Sequence, residues 1–152
     1  LRCQFAVPQS QCHAVVYAWS DASRAPIFLN SYQIWIPWLP FFEVWGLESG
    51  LILDGLYAGT ADCIGIYKGS PAIIDFKTAK KLKRKDWIED YFLQCSAYAN
   101  AHNVMFQTTI KDLVILMVDR DLLFKEFHIK NNEFSLYTDR WKKRLIKFHN
   151  RR

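Results

Sequence analysis

The chain has 152 residues, 51% hydrophobic, 16% aromatic and 23% charged, which excludes a disordered polymer and amounts to one domain's worth of core. Its net charge of +5 permits a polyanionic partner without requiring one. No apolar run approaches the ~18–20 residues of a membrane span, which argues against a membrane protein. The four cysteines, at 3, 12, 63 and 95, have neither zinc spacing nor the density of a disulfide framework, so a reducing, intracellular setting fits. The chain opens on Leu1, not methionine, so the absence of a targeting peptide carries little weight.

Residues 1–12 read as loop. A short helix is expected over His13–Trp19, capped by Ser10, followed by a loop over 21–26. Residues 31–45 are rich in Trp and Phe, with Tyr32, Trp35, Trp38 and Phe42 near helical spacing. Pro37 and Pro40 would break a helix there, so the segment reads as a packing element without clear boundaries. Glu48–Leu53 is a candidate strand.

The stretch Tyr57–Thr78 reads as two strands joined by a turn, with the apolar runs Cys63–Tyr67 and Ala72–Phe76 flanking turn residues Lys68-Gly69-Ser70-Pro71. Pro71 lacks an N–H, which favours a four-residue loop, with Tyr67 opposite Ala72. That register sets Asp62 opposite Lys77 and diagonal to Asp75. Because side chains alternate with period two, Asp62, Asp75 and Lys77 then share one face. An isolated D-x-K is most often a buried salt bridge. Here an apolar strand leads into it, a second acid shares its face, and Gly59-Thr60 precedes that acid. Two carboxylates beside an ammonium suit a divalent cation, with the lysine over a phosphoryl oxygen.

Lys80–Lys85 (Lys-Lys-Leu-Lys-Arg-Lys) is a basic connector, a solvated loop by default but well placed for phosphate. Residues 86–102 are expected to be helical, with Trp87, Tyr91, Gln94, Cys95 and Tyr98 at three- and four-residue steps. Leu113–Val118 reads as a buried strand that pairs with Phe124–Ile129 across an Asp119-Arg120-Asp121 turn. A final amphipathic helix over Phe134–Phe148 turns Phe134, Tyr137, Trp141, Leu145 and Phe148 inward.

In order, Gly59-x-x-Asp62, Asp75-x-Lys77 and Gln94-x-x-x-Tyr98 resemble the motifs of the PD-(D/E)XK nuclease superfamily, specifically its RecB-like branch. Within that branch the chain is most similar to the mitochondrial genome maintenance exonuclease group and related phage and bacterial exonucleases. The resemblance covers roughly residues 43–150. It implies an α/β fold with a restriction-endonuclease-like core: a central mixed β-sheet flanked by α-helices. It implies a single nuclease domain over 1–152, with an N-terminal helical part about 10–45 and a nuclease core about 46–150.

For the site, the resemblance implies that Asp62, Asp75 and the backbone carbonyl of Phe76 bind magnesium or manganese. Lys77 would orient the attacking water or stabilise developing charge, while Gln94 and Tyr98 position the nucleic-acid backbone. The family's upstream histidine, another metal ligand, corresponds to His13, although the Gly and Thr that usually precede it are absent. Glu48 and Thr78 would support the ligands from behind. Lys80, Lys81, Lys83 and Arg84 are the candidate substrate contacts. No cysteine follows Cys95, so the iron–sulfur cluster of one RecB-like branch is not expected. The implied partner is DNA, chiefly single-stranded, in a bacterial or phage-infected cytoplasm or a mitochondrion. An endonuclease of the same fold and an inactive nucleic-acid-binding module remain the alternatives.

Overall fold

The computed structural model describes residues 43–151 together with two short strands, β1 (Ile27–Leu29) and β2 (Tyr32–Ile34). The expected helix over His13–Trp19 and the loop before β1 lie outside the described residues. Strands β1 and β2 pair antiparallel, with Ile27 opposite Ile34 and Leu29 opposite Tyr32. Tyr32 therefore enters a strand despite its near-helical spacing to Trp35 and Trp38. This hairpin belongs to the unit Leu1–Phe41, and the remaining strands and both helices belong to the unit Phe42–Arg152.

The second unit is built on β3 (Val44–Leu53), β4 (Tyr57–Tyr67), β5 (Ser70–Ala79), β6 (Asp112–Asp119) and β7 (Phe124–Ile129). They form one sheet in the order β3-β4-β5-β6-β7. Only β5 and β6 run parallel, which makes the sheet mixed. A parallel pair needs a long crossover, and α1 (Glu89–Phe106) supplies it after a 3-10 turn at Lys85–Trp87. The second helix, α2 (Asn131–His149), follows β7. The fold is thus α/β, a five-stranded mixed sheet flanked by two helices.

The core lies between the sheet and the helices. Ile73, Leu113, Ile115 and Met117 are buried in one cluster with Phe92, Leu93, Cys95 and Ala99 of α1 and Tyr137 of α2. Each fully buried large apolar side chain contributes about 1.5–3 kcal/mol, enough to set the helix against the sheet. Small residues on α1 admit α2 closely: Ser96 Oγ lies 3.1 Å from Thr138 Oγ1. Arg144 pairs with Asp90 at 2.8 Å, and Arg140 pairs with Glu89. Helix α1 ends where Gln107 adopts φ 54°, and Asn103 then holds the return chain through the N–H and carbonyl of Ile110.

Phe148, expected inward, is 56% exposed. By that turn α2 has reached the β3–β4 connection, where His149 Nε2 lies 3.1 Å from the Leu56 carbonyl. Trp141, about two turns earlier, is the last α2 side chain packed against the core cluster among the described residues.

The β4–β5 turn is tighter than expected. Lys68 and Gly69 form it alone, with φ of 48° and 85°, and Tyr67 pairs with Ser70. Positive φ at both positions is what a two-residue hairpin needs to match strand twist. Pro71 is no obstacle, because it faces Ile66 in the next pair, where backbone N–H groups point away from the partner strand. On its other side the β5–β6 ladder starts only at Ala72. The register is two residues tighter than expected, and a shift of two preserves every side chain's face.

Candidate active site

The β4–β5 ladder is regular from Tyr67–Ser70 to Cys63–Ile74 and then stops. Its continuation would place Asp62 opposite Asp75, not opposite Lys77. Instead the strands part, and Asp62 Oδ2 accepts the Phe76 N–H at 3.0 Å. A side-chain carboxylate thus replaces the main-chain acceptor that a continued ladder would supply. Within a strand, a residue's N–H and C=O point to the same side. The Phe76 carbonyl is therefore directed toward the same opening as the Asp62 carboxylate.

Asp75 is 1% exposed, inside an apolar strand. Lys77, two residues on and on the same face, donates a hydrogen bond to its Oδ1 at 2.9 Å and stands 2.8 Å from Oδ2. Oδ2 nevertheless receives no well-aligned hydrogen bond. Burial pushes the Asp75 carboxyl up to about 6; Lys77 opposes this and the nearby Asp62 charge adds to it. For Lys77, burial favours the neutral amine, but the hydrogen bond and charge of Asp75, then Asp62, outweigh it and hold the ammonium above its usual range. The two acids and the lysine therefore converge: an under-compensated buried carboxylate, a second carboxylate beside it and one cation.

This arrangement fits a hard divalent cation. Two carboxylates and a main-chain carbonyl are oxygen donors of the kind magnesium takes, and the poorly bonded Asp75 Oδ2 offers a lone pair. Among the described residues no three His, Cys, Asp or Glu side chains form a ligand cluster, so further ligands would be water or residues outside them. His13 lies outside the described residues.

Helix α1 covers the site with one stripe, Tyr91, Gln94, Cys95 and Tyr98, at spacings of three and four. Gln94 Nε2 donates to Tyr98 Oη at 2.8 Å. Cys95 is fully buried, and burial first, then the charges of Asp75 and Asp62, push its thiol well up. Cys63 is pushed up to about 12, mainly by burial. Neither sulfur is a thiolate at neutral pH, which removes both as nucleophiles.

Gly59 and Tyr98, from two of the sequence motifs, meet directly. A Cβ at Gly59 would stand 2.7 Å from Tyr98 Cε1 and 3.2 Å from its Oη, so only glycine leaves room for the ring. Gly59→Ala is expected to destabilise the fold by about 1–3 kcal/mol, as overpacking does, and to break the Gln94–Tyr98 hydrogen bond. Urea unfolding checks this: most of the loss should vanish in the Gly59→Ala/Tyr98→Leu double variant relative to Tyr98→Leu alone. An unchanged penalty would place the strain elsewhere.

Other sequence-predicted residues are distributed as follows. Glu48 lies opposite Asp62, between the pairs Leu47–Cys63 and Ser49–Ala61, with φ 46° and an exposed side chain. Thr78 is exposed and alternates to the face of β5 away from Asp75 and Lys77. Lys80, Lys81 and Arg84 are exposed, and Arg84 lies 3.6 Å from Asp86. Lys83 differs from them. Its Nζ donates to Tyr91 Oη at 3.1 Å, so it is bound within the chain. Tyr91 was legible in the helical stripe, but nothing in its spacing distinguishes a site tyrosine from a core one.

No family model matches the chain, and no curated protein does. Among solved structures, one described as "Crystal structure of SSO0001" superposes with a TM-score of 0.40 at 15% identity, over 71% of this chain and 48% of that one. The chain spans about half the length of that structure, and so loose a superposition carries no argument about fold family or activity. Among the described residues, no helix is long and apolar enough to cross a membrane.

Proposed function

We propose that the chain is a metal-dependent deoxyribonuclease of the RecB-like PD-(D/E)XK kind, an exonuclease acting on single-stranded DNA or frayed ends during replication, repair or recombination. One observation carries this reading: Asp62, Asp75 and Lys77 converge where β4 and β5 part, with the Phe76 carbonyl directed into the same opening. The motif resemblance supports it, since Gly59 of the first motif meets Tyr98 of the third, and Lys77 of the second meets Tyr91 on the same stripe of α1.

In this reading Asp62, Asp75 and the Phe76 carbonyl hold magnesium or manganese, which when bound supplies Lewis acidity toward a phosphoryl oxygen. Lys77 orients a water for attack on phosphorus and opposes the charge that develops on the non-bridging oxygens. The water oxygen bonds to phosphorus, the bond to the leaving oxygen breaks, and the water's proton passes through solvent to that oxygen. Gln94 and Tyr98 hold the strand's backbone. The exposed Lys80, Lys81 and Arg84 attract further phosphates.

The test is incubation with end-labelled single- and double-stranded DNA, with and without magnesium. A magnesium-dependent ladder growing from one end is expected, faster on single strands. A single large internal fragment would replace the exonuclease with an endonuclease. Retention of DNA without shortening under any divalent cation would refute hydrolysis and leave a binding module.

A further inference from the structure

We propose that Tyr91 is a positioning residue for Lys77, holding its ammonium at the site by the face of its ring; this rests on the role given to Lys77 above. Lys77 Nζ lies 5.1 Å from the Tyr91 ring centroid, within the range over which an aromatic face attracts a cation. A second ammonium shares the ring: Lys83 Nζ is 5.2 Å from the centroid and also bonds to the phenolic oxygen. The Lys83 carbonyl in turn accepts from Lys125 Nζ at 3.3 Å, so the connector is anchored at this residue by side chain and main chain. Tyr91 sits in the first turns of α1, half-buried, on the stripe that carries Gln94 and Tyr98.

The chemistry of the ring explains why an aromatic residue suits this position. Lys77 has a long, flexible stem; Asp75 holds its ammonium in this structure, but a cation on that carboxylate would compete for the same oxygens and leave the ammonium needing a second hold. A third carboxylate could hold it, but would neutralise the charge that a phosphoryl oxygen needs and would compete with substrate for it. A ring face attracts the cation through its quadrupole and leaves the full positive charge available. The same hold takes Lys83 out of the set of free phosphate contacts and makes it a strut between connector and helix. Lys80, Lys81 and Arg84 remain exposed to substrate.

Two variants separate positioning from packing. Tyr91→Phe keeps the ring and loses only the bond to Lys83; Tyr91→Leu keeps apolar bulk and loses the ring. The expected result is a fall of about tenfold in kcat for Tyr91→Leu, with KM for DNA and the magnesium requirement within about twofold, while Tyr91→Phe stays within about twofold of wild type throughout. Independently of activity, NMR of the ε-methylene protons should show ring-current shifts for Lys77 and Lys83 in wild type and Tyr91→Phe, lost in Tyr91→Leu. Equal kcat for the leucine and phenylalanine variants would overturn the proposal, as would unshifted Lys77 resonances in the wild type. A wild type that cleaves nothing would sink the nuclease reading instead, and the shifts would still decide whether Tyr91 holds the two lysines.

Discussion

Asp75→Asn is expected to abolish cleavage while removing a pH-dependent weakness from the metal-free protein. The loss of rate should be at least about thousandfold, because an anionic oxygen in such a site supports several kcal/mol of transition-state stabilisation. The stability effect follows from the carboxyl's burial. Its titration lies at about 6 in the fold against 3.8 for an ordinary aspartate. Between those values the folded protein holds a proton that the unfolded chain has released. Stability therefore falls as pH rises across that window and levels off above about 6. At 1.36 kcal/mol per pH unit, the loss by neutrality is roughly 3 kcal/mol.

Urea unfolding of wild type and Asp75→Asn without metal, from pH 4 to 8, measures it as a difference between two curves. The asparagine variant should lack the decline. Adding magnesium at pH 7.5 should stabilise the wild type and leave the variant unmoved, since a ligand stabilises only the state that binds it. Parallel pH curves would show that Asp75 is not the under-compensated acid. Near-normal cleavage by Asp75→Asn would remove it from the metal site.

The hairpin shows why part of this site could be read from residues alone. The loop at Lys68–Gly69 is two residues shorter than its chemistry suggests, yet Asp75 and Lys77 still share a face and the Asp62 carboxylate still reaches β5 between them, at the Phe76 N–H. Side-chain direction depends only on parity, and an even error leaves it intact. What parity could not supply was the parting of the strands after Cys63–Ile74, which depends on the Asp62 carboxylate capturing the Phe76 N–H. The α/β order and the β6–β7 pairing were legible because apolar runs and turn residues are local signals. Contacts between distant motifs were not. Only the packed fold shows that Gly59 is glycine because Tyr98 stands over it, or that Lys83 folds back onto Tyr91. Charge composition makes all the connector's basic residues look alike, and packing alone separates a strut from a solvated cation.

Lys77→Ala should remove most of the rate and leave metal binding no weaker. In the proposed reaction Lys77 contributes one positive charge beside the phosphate, and deleting a single preorganised electrostatic group of this kind costs about 10²–10³ in kcat. Its other role works against metal binding. In the metal-free protein its ammonium is hydrogen-bonded to Asp75 and competes with any cation for that carboxylate. Removing it frees the oxygens, so the magnesium concentration for half-saturation, measured calorimetrically on DNA-free protein, should stay the same or fall. The metal-free variant should also be less stable at neutral pH, because Asp75 is left buried without its cation.

Lys77→Arg separates charge from shape. A guanidinium keeps the charge but is planar and wider than an ammonium, and it must share the space beside Tyr91, whose ring centroid lies 5.1 Å from Lys77 Nζ. The arginine variant should therefore recover metal-free stability, since the ion pair to Asp75 survives, without recovering the rate. An arginine variant with full activity would reduce Lys77 to a structural partner of Asp75. Loss of magnesium binding in Lys77→Ala would mean that the lysine shapes the metal site and does not act beside it.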